Sequence, residues 1–333
     1  MLITTVLFLL SAGVIYVACE YFVNGVEWLG QKLNLGATAT GTVLAAFGTA
    51  LPESAVTFVA VILGRTPQVR DIGVGAALGG PLVLATIAYA VVGLALWSHR
   101  HKLARADRCV RVDDKRLARD QFWFLSIFVV KCGLGLVAFA FKPWLGVLFL
   151  LAYGFYVWRE LRDIDASPTE EVLEPLKFEP RAATPSLVAV LAQTTLALLL
   201  IAYAAHVFVL QIQTIGVAMQ LPPHLVALVL SPVATELPET MNALIWVRQG
   251  KERLALANIS GAMMIQATIP SALALFATPW MFDAPLIVAG AVTMAAIIFL
   301  LWLFRRGRVD ARMLLPVGGL YAIFAAYVCW HLA

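Results

Sequence analysis

The chain has 333 residues, 61% of them hydrophobic and 13% charged, with a formal net charge of +4. A soluble globular domain carries roughly 25% charged residues, so the composition points away from a water-soluble enzyme and toward an all-α polytopic membrane protein. Its four cysteines, Cys19, Cys109, Cys132 and Cys329, show neither metal-ligand nor redox spacing.

Apolar runs of about 20 residues, the length that crosses a bilayer, recur from end to end. They predict ten transmembrane helices at 2–28, 36–63, 72–97, 122–140, 143–158, 185–219, 223–247, 254–277, 284–304 and 313–331. Met1 opens into Leu-Ile-Thr-Thr-Val-Leu without a basic segment. Val17-Ala18-Cys19-Glu20 resembles a lipoprotein cleavage site, but the missing positive charges favour a retained first helix. The second span contains Thr49-Ala50-Leu51-Pro52-Glu53-Ser54, which plants a carboxylate and a proline in an apolar stretch. The third contains the small-residue run Val74 to Leu82, suited to close helix packing. Phe141-Lys142-Pro143-Trp144-Leu145 divides the fourth span from the fifth, and this is the softest boundary.

Residues 159–183 form a polar linker too short to fold as a domain of its own. Beyond it, the seventh span contains Thr235-Glu236-Leu237-Pro238-Glu239-Thr240, an echo of the earlier phrase. The two copies lie 186 residues apart, and the same offset superposes Phe22-Val23 on Phe208-Val209, Leu35 on Leu221 and Val43-Leu44 on Val229-Leu230. An internal duplication follows. Five spans per half is an odd number, so the second half enters the membrane from the opposite face. The expected architecture is two inverted five-helix repeats, 1–158 and 184–333, joined by the cytoplasmic linker 159–183.

The basic residues fix an orientation. Lys32, the run Arg100 to Arg119, Arg159/Arg162/Lys177/Arg181, Arg248/Lys251/Arg253 and Arg305/Arg306/Arg308/Arg312 all fall on one side of ten spans. Arg65, Arg70 and Lys142 fall on the other. By the positive-inside rule both termini lie outside a cell inner (plasma) membrane. The 99–120 cluster reads as a topology and lipid-headgroup signal rather than a nucleic-acid patch.

Intramembrane carboxylates are costly and mark ion pathways, which singles out Glu53 and Glu239. Brought together across the repeat axis, they would make a hard oxygen site suited to Ca²⁺ or Na⁺. Thr49 and Thr235, each three residues before a proline, can add hydroxyl and carbonyl oxygens. Glu236 has Ala50 as its counterpart; it is either a third anionic ligand or a group turned toward water or a polar partner. Asn258 and Gln266, eight apart on the eighth span, line a cavity or bond to a neighbouring helix. Glu20 and His206 are related by the same offset. No nucleophile–base pair and no metal-binding histidine cluster is present, so neither an enzymatic activity nor a cofactor is expected.

Gly48-Thr49-Ala50-Leu51-Pro52-Glu53 closely resembles the G-T-S-L-P-E phrase of the first α-repeat in sodium/calcium exchangers. Thr235 to Glu239 is similar to its second copy, Ala257-Asn258-Ile259-Ser260-Gly261 to the segment that follows it, and Glu20 to Gly25 to the first-helix pattern. The resemblance implies an inverted five-plus-five fold, alternating access and exchange of Ca²⁺ against Na⁺. On it Glu53 and Glu239 would be central calcium ligands, with Thr49 and Thr235 adding oxygens. Departures stand at Ala50, Glu236, Gly80, Ala262, Leu84 and Gln266. Ala50, Gly80, Ala262 and Leu84 lack oxygens that build the family's sodium sites, while Glu236 adds a carboxylate that could compensate, so Na⁺ and H⁺ both stay open as the coupling ion. A same-fold transporter of another cation and a non-transporting membrane interaction protein are the rival readings. The partners expected are inorganic cations and the lipid bilayer, with a monomeric transport unit and no nucleic acid.

Overall fold

A computed structural model describes residues 1–32, 50–99, 110, 112–162, 173–248 and 250–332. The regular elements among them are all helical. They are α1 (Leu2–Lys32), α2 (Leu51–Phe58, prolonged by a π-turn over Val59–Leu63) and α3 (Pro67–Val83). A π-turn at Leu84–Ala88 carries α3 into α4 (Tyr89–His99); α5 (Asp114–Gly135) and α6 (Gly146–Arg162) complete the first half. The second contains α7 (Leu187–Met219), α8 (Pro223–Thr235), α9 (Leu237–Arg248), α10 (Glu252–Ala277), α11 (Ala284–Arg306) and α12 (Pro316–Leu332).

Six stretches among the described residues are long and apolar enough to cross a membrane: Leu2–Lys32, Pro67–Ser98, Leu187–Met219, Glu252–Ala277, Ala284–Arg306 and Ala311–Leu332. The other predicted spans coincide with shorter or more polar helices. The second is described only from residue 50, and the seventh is interrupted at Glu236 between α8 and α9. α5 begins at Asp114 rather than at 122, because the Asp113 side chain accepts from Arg116 N at 3.0 Å and caps it. The break at 141–145 is a 3₁₀ turn over Lys142–Leu145. Lys142 Nζ donates to Val137 O at 2.6 Å and to Trp280 O at 2.8 Å, tying the end of α5 to the turn after α10.

The two halves interleave rather than sit side by side. α1 packs along α7, α3 along α8, α5 along α11 and α6 along α10. α1 and α7 run antiparallel, since Phe8 stacks on Phe208 at 4.7 Å near one end and Gly25 meets Thr194 near the other. One apolar cluster unites α1, α2 and α7 with parts of α3 and α8. A larger one holds α4, α5, α10 and α11 together with the rest of α3 and α8. Outward faces are studded with exposed Leu196, Leu199 and Tyr203 on α7 and Phe139, Leu148 and Leu151 around α6, an apolar exterior suited to lipid.

Loops far apart in sequence meet at the ends of the bundle. Val110 N donates to Val309 O at 2.8 Å and Arg308 N to Asp114 Oδ2 at 3.2 Å, which brings two of the basic segments together. Elsewhere, a cavity of about 210 Å³ is bordered by Asp71 and His224, near the starts of α3 and α8, and by Trp280 and Asp283 between α10 and α11. His224 Nε2 and Asp283 Oδ2 are 2.7 Å apart there. The described part of the linker is anchored to the α1/α7 pair. Trp28 Nε1 donates to Glu174 O at 2.9 Å, and Asn24 Oδ1 accepts from Lys177 N at 3.1 Å and from Gln193 Nε2 at 3.0 Å.

Candidate functional site

Both copies of the repeated phrase open a helix in the same way. α2 starts Leu51-Pro52-Glu53 and α9 starts Leu237-Pro238-Glu239. Proline is tolerated in a first turn because the N–H it lacks would have no intrahelical partner there. A glutamate in that turn sits at the positive end of the helix dipole. Between α8 and α9 the helix loosens at one residue, Glu236, with φ −100° and ψ −10°, although Glu236 N still donates to Pro232 O at 2.9 Å and Thr240 N to Glu236 O at 3.1 Å.

The approach of α3 sets up the rest. Pro232, inside α8, has no N–H for the carbonyl of Leu228. Gly79 of α3 lies against that oxygen so closely that a Cβ there would stand 2.5 Å from it, and Gly75 meets the His224 carbonyl in the same way. Two glycines four residues apart thus let α3 pack backbone to backbone on α8. The next residue, Gly80, faces the polar cluster directly: a Cβ on it would lie 2.9 Å from Gln266 Oε1 and 3.0 Å from Glu236 Oε1.

The cluster itself joins four predicted residues. Thr235 Oγ1 lies 2.8 Å from Glu53 Oε2, 2.9 Å from Glu236 Oε1 and 3.2 Å from Ser231 O. A hydroxyl has one proton to give, so it cannot donate to all three. Gln266 Nε2 donates to Glu236 Oε2 at 2.7 Å. Glu53, Thr235, Glu236, Glu239 and Gln266 are each at most 1% exposed. Yet Glu53 Oε1, both Glu239 oxygens and Gln266 Oε1 have no hydrogen-bond partner among the described residues. Buried oxygens without a donor are costly, and a cation is the natural group to offset that cost.

The remaining predicted residues are distributed as follows. Glu239 is near enough for its charge to act on Glu53, Glu236 and Cys19, but it makes no side-chain hydrogen bond to the cluster. Among the described residues no three of His, Cys, Asp and Glu already converge as a metal cluster. Asn258 is buried on α10, about 12 Å along the helix axis from Gln266, with its amide nitrogen unpartnered among the described residues. Thr49 lies outside the described residues. Glu236 is not turned toward water: it faces inward, onto Thr235 and Gln266.

Two features escape a reading of motifs. Lys131, inside the fourth predicted span, is fully buried and donates to backbone carbonyls on α3 and α10. A lone lysine in an apolar span is a signal in its own right. Tyr89, Gln121 and Ser260 form a buried polar triad, with Tyr89 Oη 2.6 Å from Gln121 Nε2 and 3.0 Å from Ser260 Oγ. Its partners come from three helices with no common motif.

An interleaved helical bundle with an apolar exterior and buried carboxylates meeting at a helix break defines a polytopic membrane transporter of cations. The model of the sodium/calcium exchanger protein family matches residues 3–161 and 189–331, and the chain belongs to this family of transmembrane antiporters and calcium transporters. Cation/calcium exchanger 2 of Arabidopsis thaliana is 26% identical over 91 residues, a match spanning 27% of this chain and only 16% of that protein. Among solved structures, an H⁺/Ca²⁺ exchanger, CAX, superposes with a TM-score of 0.73 at 15% identity, covering 99% of this chain and 86% of its own. The sodium-calcium exchanger NCX_Mj, soaked with 2.5 mM Na⁺ and 10 mM Sr²⁺, gives 0.60 at 20% identity and 98% of each chain. The fold is therefore shared with both exchangers.

Proposed function

We propose that the chain is a secondary-active antiporter that exchanges Ca²⁺ against Na⁺ or H⁺ by alternating access at the buried carboxylate cluster. Glu53, Glu236 and Glu239 carry the charge, and Thr235, Gln266 and Thr49 add neutral oxygens. Asn258 belongs to the same ion path along α10. The observation that carries this reading is the Thr235 hydroxyl set between two carboxyl groups, beside buried oxygens that lack partners. Ca²⁺ takes six to eight oxygens at about 2.3–2.6 Å. An ion entering the cluster supplies the positive charge that the hydroxyl cannot and draws Glu239 in.

The architecture we infer is ten transmembrane helices in two inverted repeats, 1–158 and 184–333, around the linker 159–183. Support comes from the antiparallel run of α1 and α7, whose residues 22–23 and 208–209 correspond in the duplication, and from the matching starts of α2 and α9. The meeting of the 110–114 and 308–309 segments supports placing both basic loops on the cytoplasmic side of a plasma membrane. Both termini then lie outside, and a single chain forms the transport unit.

The test is radiolabelled-calcium flux in reconstituted vesicles under imposed Na⁺ or H⁺ gradients, for the wild type, Glu53→Gln and Glu239→Gln. Uptake that follows one gradient and is lost in both variants supports the reading and names the coupling ion. Absence of flux of any cation under either gradient refutes it.

A further inference from the structure

Lys131 has no part in the cluster as described so far, yet it is built into the same region from three directions. The side chain rises from α5 and is 0% exposed. Its Nζ donates to Ala77 O at 2.6 Å and to Gln266 O at 3.4 Å. It stands 5.2 Å from the Phe128 ring centre and 5.9 Å from that of Trp280. Trp280 fixes the lysine backbone in turn, its Nε1 donating to Lys131 O at 3.1 Å. Backbone carbonyls and aromatic faces are what a desolvated monovalent cation accepts in place of water.

The position is adjacent to the carboxylates. Ala77 lies one turn before Gly80, which faces Glu236 Oε1 and Gln266 Oε1. Gln266 holds the ammonium with its backbone oxygen and Glu236 with its side-chain amide. Lys131 and Glu53 are near enough to interact through their charges. If a bound ion keeps all three carboxylates ionised, the one ammonium leaves a net of two negative charges, the complement of a single divalent ion.

We propose that Lys131 is a tethered cation: its ammonium fills one monovalent-cation position beside the carboxylate cluster. The site is thereby matched to one divalent substrate and binds one dissolved monovalent cation fewer. This rests on the cation-exchange reading above, but it makes a separate claim about how many ions bind.

The experiment uses the full chain in detergent micelles and equilibrium dialysis against radiolabelled sodium, comparing wild type, Lys131→Met and Lys131→Arg. Lys131→Met is expected to bind one more sodium ion per chain than the wild type, and Lys131→Arg, which keeps the charge, is expected to bind no more. An unchanged sodium count in Lys131→Met overturns the proposal. A melting curve in the same micelles identifies a variant that does not fold. Lys131→Gln, which keeps a donor for the Ala77 carbonyl, then takes its place with the same expected gain. In vesicles, the reversal potential of calcium flux should shift by one charge per cycle in Lys131→Met and return in Lys131→Met combined with Glu236→Gln. A merely structural lysine would lower stability without moving either the count or the potential. Wild-type vesicles that move no calcium, alongside a sodium count that rises in Lys131→Met, would refute the exchange reading and leave the tethered cation standing.

Discussion

Replacing Gly80 by alanine adds one carbon to the wall of the carboxylate cluster. That carbon would stand 2.9 Å from Gln266 Oε1, 3.0 Å from Glu236 Oε1 and 3.2 Å from Gln266 Cδ, where ordinary contact begins near 3.4 Å. The atoms it strikes are side-chain ends, so α3 keeps its place and the polar groups yield by a few tenths of an ångström. The bond most exposed to that shift is the one from Gln266 Nε2 to Glu236 Oε2, at 2.7 Å. A hydrogen bond to a charged group contributes about 1.5–3 kcal/mol, which corresponds to roughly 10- to 150-fold in ion affinity. A helical glycine replaced by alanine returns about 0.5–1 kcal/mol of stability. Gly80→Ala is therefore expected to raise the half-saturating calcium concentration for vesicle uptake by that factor while its melting midpoint holds or rises. Gly133→Ala, with nothing within 4 Å of its added carbon, is the control and should transport normally. Wild-type half-saturation in Gly80→Ala would refute the placement of Glu236 and Gln266 in the ion site.

Gly79→Ala tests the neighbouring position with the opposite outcome. Its Cβ would lie 2.5 Å from the Leu228 carbonyl, which is backbone and cannot swing aside. α3 and α8 must separate, at about 1–3 kcal/mol; a melting midpoint in micelles equal to the wild type would contradict this. The third prediction concerns pH. Burial pushes the Asp283 carboxyl up, but the hydrogen bond and charge of His224 and the Leu286 N–H outweigh it and hold the group below the usual carboxylate range. Its stabilising effect is present above the ordinary aspartate value near 3.9 and is lost as pH falls through its lower folded value. Below about pH 4, the wild type should lose thermal stability more steeply than Asp283→Asn; parallel profiles would count against the pairing.

Much of the helical layout was legible because hydrophobicity alone carries it: a run that must bury its backbone polar groups in lipid reads as a helix. The repeated phrase was legible for the same reason, since a carboxylate and a proline stand out against such runs. Its geometry was less so. Glu236 looked like the odd member, yet it is the carboxylate bonded to Gln266 and joined to Glu53 by Thr235. Which face a residue takes after a helix break depends on φ and ψ at that residue, and no periodicity reports them. Lys131 was hidden differently. Its acceptors, Ala77 O and Gln266 O, are main-chain atoms on two other helices, and no side-chain pattern marks them.

The apolar interior is divided, and the division runs past the proposed ion site. Glu53 stands on α2, which belongs to the cluster shared with α1 and α7, whereas Gln266 stands on α10 in the larger cluster. α8 is the party wall between them, giving Val226 and Ala227 to one side and Leu225 and Leu228 to the other. On the proposed function, an ion held between Glu53 and Glu236 would be a rivet through two plates. Its departure would loosen the seam along which the α1/α7 pair would slide, and its arrival would clamp that seam. On this view the resistance of the whole chain to heat becomes a gauge of how full the site is.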